Sequence, residues 1–223
     1  MKTILTVEDD AVVALAQSRT LRRAGYNVLH ALSGEKAIGI VKSQPTPIDL
    51  ILMDVDLGKG IDGTEAAQVI LAEHDIPVLF VSSHTEKEIV ERTERIANFG
   101  YVVKNSGDEV LLASIKMAFR LHEAQNALRS SEERYSKVFH TSPDAINVNR
   151  LSDGCYVAIN EGFTKILGYT PPEVIGKSSL ADDLGIWVDP ADRQKVLEEL
   201  RRSGEVSGLE AQFRGKDGVA RTG

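Results

Sequence analysis

Over the first half of the chain, five short apolar runs alternate with five helix-forming segments. That alternation restricts the fold to a parallel sheet covered by helices on both faces. The clearest run is residues 48–54, mostly apolar and ending at Asp54 before the Gly-rich loop of residues 58–63. A continuous rather than alternating apolar pattern marks a strand buried on both faces. Residues 3–7 form a similar run that closes on Glu8, Asp9 and Asp10, and residues 11–24 read as a helix stopped by Gly25. Residues 27–31 are the second strand. Ser33 caps a helix that ends before Pro45 and Pro47. Asp62 and Glu65 have capping-box spacing, as do Thr85 and Glu88, and Ser106 and Glu109. Between them lie strands at residues 77–81, followed by Ser82, Ser83 and His84, and at residues 100–103, followed by Lys104.

This arrangement sends Glu8, Asp9, Asp54, Ser82 and Lys104 to the carboxyl ends of their strands, the sheet edge where ligands gather in open α/β folds. Three carboxylates close together cannot all ionise cheaply without a cation. A hard divalent ion resolves that, and Mg2+ suits a small carboxylate site shared with phosphate oxygens. A lysine and a hydroxyl on the same edge can hold phosphoryl oxygens, and Asp54 is placed to form an acyl phosphate. The bulk properties are compatible with this chemistry. The 223 residues carry a formal net charge of -7, against a nucleic-acid surface. A single cysteine excludes an intrachain disulfide and a multi-Cys metal site. No apolar stretch reaches the length of a membrane span, and the amino terminus lacks a signal-peptide core, so a cytosolic chain is expected.

With Glu8 and Asp9, Asp54, Ser82, Tyr101 and Lys104 in that order, residues 1–120 resemble a response-regulator receiver domain. The resemblance implies a flavodoxin-like (βα)5 fold with sheet order 2-1-3-4-5. It implies that Asp54, Lys104 and Ser82 carry the catalysis, with a histidine kinase or phosphotransfer protein donating from phosphohistidine. It implies Mg2+ held by Asp9, Asp54 and the main-chain carbonyl of Asp56, with Glu8 acting partly through water. Ser82 and Tyr101 would be the switch pair, and Asp56 and His84 would tune rates. Four features depart from the family pattern. Asp10 extends the acidic pair to a triple, so the metal pair is Glu8 with Asp9 or Asp9 with Asp10; the first directly follows the strand. Ser82 stands for the commoner threonine. The loop after Asp54 carries the extra residues 59–61, which leave it mobile or let it mould donor specificity. Asn105 stands for a proline usually in a cis bond, and a non-proline cis bond costs about 3–4 kcal/mol. Either the bond is trans with a different lysine loop, or strain is stored there.

From Asp108 no breaker intervenes before Pro143. Ser114, Met117, Leu121, Ala124, Leu128, Ser131, Tyr135 and Val138 follow heptad spacing, while Leu111, Ile115 and Ala118 form a second stripe that can face the sheet. A continuous helix over residues 108–139 would be about 48 Å long; the alternative is a break near residues 129–131. Residues 121–134 are thus expected to be a coiled-coil linker through which the chain forms a homodimer. Residues 135–223 resemble a PAS sensor domain, carried by residues 142–146, 160–163, 168–177, 187–193 and 215–218. Thr170 and Glu173 form a capping box, Asp189 and Pro190 open another helix, residues 209–214 read as a strand, and residues 216–218 as its hairpin turn. A complete domain of that family would carry two more strands, so the expectation is an incomplete α+β domain with an exposed sheet edge. No cofactor is expected there, and Cys155 lacks the context of a flavin-adduct site. The functional expectation is phosphorelay signalling from Asp54 through the helix to the PAS module, in the amino-terminal part of a hybrid sensor histidine kinase; no ATP-dependent kinase region is visible. The alternatives are a non-phosphorylated scaffold with a degenerate receiver, and a haloacid-dehalogenase-like phosphatase with Asp56 as its acid. The second would need its nucleophile on the first strand.

Overall fold

The computed structural model describes residues 1–43, 47–83, 96, 99–179 and 183–223, in two compact units, Met1–Leu128 and Arg129–Gly223. Pro45, His84 and the helix predicted from Thr85 lie outside the described residues.

In the first unit, β1 (Thr3–Val7), β2 (Asn27–Ala31), β3 (Leu50–Asp54), β4 (Val78–Ser82) and β5 (Tyr101–Val103) form one sheet. All pairings are parallel and the order is β2-β1-β3-β4-β5. Every residue of β1, β3 and β4 is buried, which is why those three runs are mostly apolar, with Thr3, Thr6, Asp54 and Ser82 the buried polar exceptions. Among the described residues the unit's helices are α1 (Ala11–Arg23), α2 (Gly34–Ser43) and α3 (Gly63–Leu71), and α4 (Asp108–Thr141) begins in it. Alternation along β3 divides the core. Ile51 and Met53 pack with Ala66, Ala67 and Ile70 of α3. Leu50 and Leu52 pack with Leu21 of α1 and with Ile115, Ala118 and Phe119 of α4. Each large side chain buried this way contributes about 1.5–3 kcal/mol, against about 1 kcal/mol for a cap. Burial therefore decides which strands are central, and caps decide where helices begin.

Asp10 caps α1, its carboxylate accepting from Val12 N and Val13 N. Asp62 and Glu65 make the reciprocal capping box of α3. At the third predicted box the cap is not Ser106. Gly107 occupies the cap position, its carbonyl accepting from Leu111 N at 3.2 Å, so α4 starts at Asp108. From there α4 is continuous, without the alternative break near residues 129–131. Ile115 and Ala118 are fully buried, whereas Met117, Leu121, Leu128, Tyr135 and Val138 of the heptad stripe are exposed. Among the described residues no helix is long and apolar enough to cross a membrane.

The second unit contains β6 (Asn147–Asn149) paired antiparallel with β7 (Tyr156–Ile159), and β8 (Gln212–Arg214) paired antiparallel with β9 (Ala220–Thr222). Three helices, α5 (Glu161–Leu167), α6 (Pro171–Val174) and α7 (Pro190–Ser203), start at Asn160, Thr170 and Asp189. Its core gathers Tyr156, Ile159, Phe163, Leu167, Val174 and Ile186. Asn160 is buried and ties three segments: its Oδ1 accepts from Phe163 N and Ile146 N at 2.8 Å each, and its Nδ2 donates to Asp144 O at 2.9 Å. Cys155 precedes β7, and partial desolvation followed by the carboxylate of Asp153 raises its thiol pKa. It is not a poised thiolate.

Candidate functional site

The carboxyl ends of β1, β3, β4 and β5 bring Glu8, Asp54, Ser82 and Lys104 together. β1 and β3 are neighbours, with Val7 opposite Met53, so Glu8 and Asp54 leave adjacent strands one residue later. Ser82 lies opposite Val103, and Lys104 N donates to Ser82 O at 2.7 Å, which fixes where the lysine leaves the sheet. The Lys104 ammonium donates to Asp54 Oδ2 at 2.7 Å and to Glu8 Oε1 at 3.0 Å. Asp54, Glu8 and Ser82 are buried. Asp9 is exposed, yet one oxygen each from Glu8, Asp9 and Asp54 lie within 4.8 Å of one another.

Three acids and one lysine leave a local excess of negative charge. Burial, the largest influence, pushes the Asp54 carboxyl up to about 6; the neighbouring Glu8 adds to the rise, and Lys104 opposes it. Desolvation alone would lower the Lys104 pKa, but its bonds to Asp54 and Glu8 prevail and raise it, so the lysine stays charged. Glu8 Oε2 lies 2.8 Å from the ammonium but accepts no hydrogen bond. A buried carboxylate oxygen with spare acceptor capacity, beside two further carboxylates, fits a hard cation with oxygen ligands.

Asp10 is engaged at the α1 cap, and the cluster consists of Glu8, Asp9 and Asp54. Asp56 is exposed, with its amide 3.3 Å from Asp54 Oδ1. Tyr101 is half-buried on β5 and packs against the core on the α3 face. The Lys104–Asn105 peptide is trans, and Asn105 takes φ 67°, a left-handed conformation that asparagine tolerates better than most residues. The lysine loop therefore turns without a cis bond.

Sequence reasoning missed the residues that shape the loop after Asp54. Ile61 N donates to Glu35 Oε1 at 3.0 Å, and Gly63 N donates to Val55 O at 3.0 Å. Ile61 also packs against the core, so the loop is fastened at both of these points. Gly58 has φ 66°, and a Cβ there would stand 2.7 Å from Asp9 Oδ2. The glycines were a visible signal of tight turns; nothing local marks Glu35, whose contact depends on the packing of α2 beside the loop.

A model of the family described as "Response regulator receiver domain" matches residues 4–116, half of the chain. A model described as "PAS domain" matches residues 143–221. The chain belongs to the response-regulator receiver family of two-component systems, with a PAS domain after the receiver. It is similar to the uncharacterized transcriptional regulatory protein YrkP of Bacillus subtilis (strain 168), 30% identical over 134 residues that make up 59% of this chain and 55% of that protein. The transcriptional regulatory protein PdtaR of Mycobacterium tuberculosis is 25% identical over 141 residues, 63% of this chain and 67% of that protein. Among solved structures, the N-terminal domain of a response regulator/sensory box/GGDEF 3-domain protein from Carboxydothermus hydrogenoformans is 41% identical with a TM-score of 0.52, covering 56% of this chain and 98% of that chain. The chain thus spans 55% of the length of YrkP.

Proposed function

We propose that this chain accepts a phosphoryl group on Asp54 from a phosphohistidine donor, a histidine kinase or phosphotransfer protein, with Mg2+ as cofactor. The observation that carries the proposal is the meeting of Glu8, Asp9, Asp54 and Lys104 at one sheet edge. An Asp54 oxygen forms the new bond to phosphorus as the phosphorus–nitrogen bond to the donor imidazole breaks, and the imidazole takes up a proton. Lys104, already on Asp54 Oδ2, is placed to hold a phosphoryl oxygen. Glu8, Asp9, Asp54 and the main-chain carbonyl of Asp56 would hold the ion, which when bound supplies positive charge to the phosphoryl oxygens. The Ser82 hydroxyl would then turn toward the phosphoryl group and the Tyr101 ring would follow it, with Asp56 and His84 setting the rates of gain and loss. Acetyl phosphate tests this. With Mg2+, intact mass should rise by one phosphoryl group, and with a chelator it should not. A chain that resists acetyl phosphate with Mg2+ present supports the scaffold alternative instead.

Binding of Mg2+ has a consequence for stability. A ligand held by the folded state alone stabilises it by about 2.7 kcal/mol at a concentration of 100 times Kd. Mg2+ should therefore raise the unfolding midpoint of the receiver by several degrees, and Glu8→Gln with Asp9→Asn should remove most of that gain. An unchanged midpoint in wild type contradicts the metal assignment.

The exposed heptad stripe of α4 supports a homodimer. A parallel pair would cover Leu121, Leu128 and Tyr135, and the continuity of α4 would let it carry the phosphorylation state to the PAS domain. Sedimentation should give a dimer for wild type and a monomer for Leu121→Glu with Leu128→Glu, the helical signal of the receiver being retained. A wild-type monomer at high concentration contradicts it.

A further inference from the structure

The loop from Val55 to Gly63 follows the acceptor aspartate, and few contacts set its path. Its two ends are tied down: Val55 N donates to Val81 O at 3.1 Å, and Gly63 N donates to Val55 O at 3.0 Å. Leu57 is buried, so the first turn is packed into the core. Residues 58–60 are exposed, and Gly58 and Gly60 have φ 66° and 108°. Glycine visits such conformations and their mirror images about equally, so these two positions alone would let the middle of the loop take several paths.

Glu35 removes that freedom. It stands in the first turn of α2, and its Oε1 accepts from Ile61 N at 3.0 Å. Among the described residues no other side chain accepts from the amides of residues 58–61. A Cβ on Gly60 would overlap the same carboxylate oxygen, so the carboxylate lies directly against the loop main chain. Gly34 brings α2 up to the loop: a Cβ there would stand 2.7 Å from Ile61 Cγ1 and 2.9 Å from the Cβ of Ala66 on α3. The Ile61 amide, followed by the Glu35 amide and the Ser33 hydroxyl, holds the Glu35 carboxyl below the usual carboxylate range. It is ionised at neutral pH, the form in which a carboxylate accepts most strongly. An acid in the first turn of a helix also gains from the helix dipole. That gain requires neither the contact with Ile61 nor the glycines at positions 34 and 60.

The loop in turn touches the acid cluster twice. Gly58 lies against Asp9, where a Cβ would stand 2.7 Å from Oδ2, and Asp56 N lies 3.3 Å from Asp54 Oδ1. A shift of the loop therefore disturbs the Asp9 carboxylate and turns the peptide groups of Asp56.

Building on the reading of Glu8, Asp9 and Asp54 as a Mg2+ site, we propose that Glu35 is a positioning residue for that site, holding through Ile61 N the loop path on which the Asp9 carboxylate and the Asp56 carbonyl depend. Glu35 is not part of the carboxylate cluster and acts only through the loop.

Calorimetric titration of Mg2+ into the full chain tests this. Loss of a residue that orients metal ligands costs about 10–100-fold in affinity, and an exposed contact belongs at the lower end, so Glu35→Ala should weaken Mg2+ binding about tenfold. Glu35→Gln keeps an oxygen that accepts from Ile61 N and should stay within about threefold of wild type. Without Mg2+, amide exchange at Ile61 should be about tenfold faster in Glu35→Ala than in Glu35→Gln, with Gly63 unchanged in both. Equal Mg2+ affinity of wild type and Glu35→Ala overturns the proposal and leaves the Mg2+ site standing. So does equal weakening in the two variants, or unchanged exchange at Ile61 in Glu35→Ala. A wild type that binds no Mg2+ overturns the metal site and the role of Glu35 together.

Discussion

Asp54→Asn is expected to abolish phosphoryl uptake from acetyl phosphate, reducing it to the background of a chelator-treated wild type, while the fold persists. Asparagine keeps the shape and one carbonyl oxygen of the side chain but cannot form the acyl phosphate. Its effect on stability separates a chemical loss from an unfolded protein. Burial raises the Asp54 pKa to about 6, so the folded state holds that proton more tightly than the unfolded state does. A group of this kind contributes stability that is fully present below about pH 4 and is lost as pH rises through about 6. At neutral pH and without metal, the ionised carboxylate is therefore destabilising relative to the protonated form. The neutral amide removes that cost and retains Lys104 on Glu8, so urea unfolding at neutral pH should show Asp54→Asn at least as stable as wild type. A marked destabilisation with residual uptake would contradict both halves of the account.

The second large effect concerns Gly63, at the first position of α3. A Cβ there would stand 1.8 Å from Asp54 O and 2.9 Å from Asp54 C. Both are main-chain atoms of the acceptor residue, so no side chain can swing aside to make room. Gly63→Ala must displace either the start of α3 or the end of β3. The cost should lie at or above the upper end of the about 1–3 kcal/mol typical of overpacking, and phosphoryl uptake should fall with it because Asp54 itself moves. Gly39→Ala is the matched control. Gly39 lies inside α2 with open space where its Cβ would go, so that change should stabilise by about 0.5–1 kcal/mol. Urea unfolding of the two variants measures both expectations. Equal stability of the pair would show that the close approach at Gly63 is readily relaxed.

The parts of the fold that were legible in the sequence are those set by local chemistry. Continuous apolar runs marked β1, β3 and β4 because those strands are buried on both faces. The Asp62–Glu65 and Thr170–Glu173 boxes and the Asp189 cap place their helices where they start. The edge of converging acids, hydroxyl and lysine was legible because parallel strands send all their carboxyl ends the same way. What the sequence left open depended on contacts between distant segments. Three consecutive acids follow Val7, and only the Asp10 bonds to Val12 N and Val13 N separate the helix cap from the carboxylate cluster. The choice of Gly107 over Ser106 as cap reflects competition between two adjacent candidates. The bond from Ile61 N to Glu35 joins two elements with no shared pattern. The coverage of β7 and β8 by the segments around Lys177 and Val188 rests on isolated bridges that leave no periodic trace.

The central claim is that the phosphoryl group resides on Asp54. Borohydride reduction of the acyl phosphate, followed by peptide mass spectrometry, reads the modified position directly. After treatment with acetyl phosphate and Mg2+, the reduced residue should be found at position 54, and omission of Mg2+ should remove it. Modification at another carboxylate, or an equal yield at position 54 with a chelator present, would contradict the account.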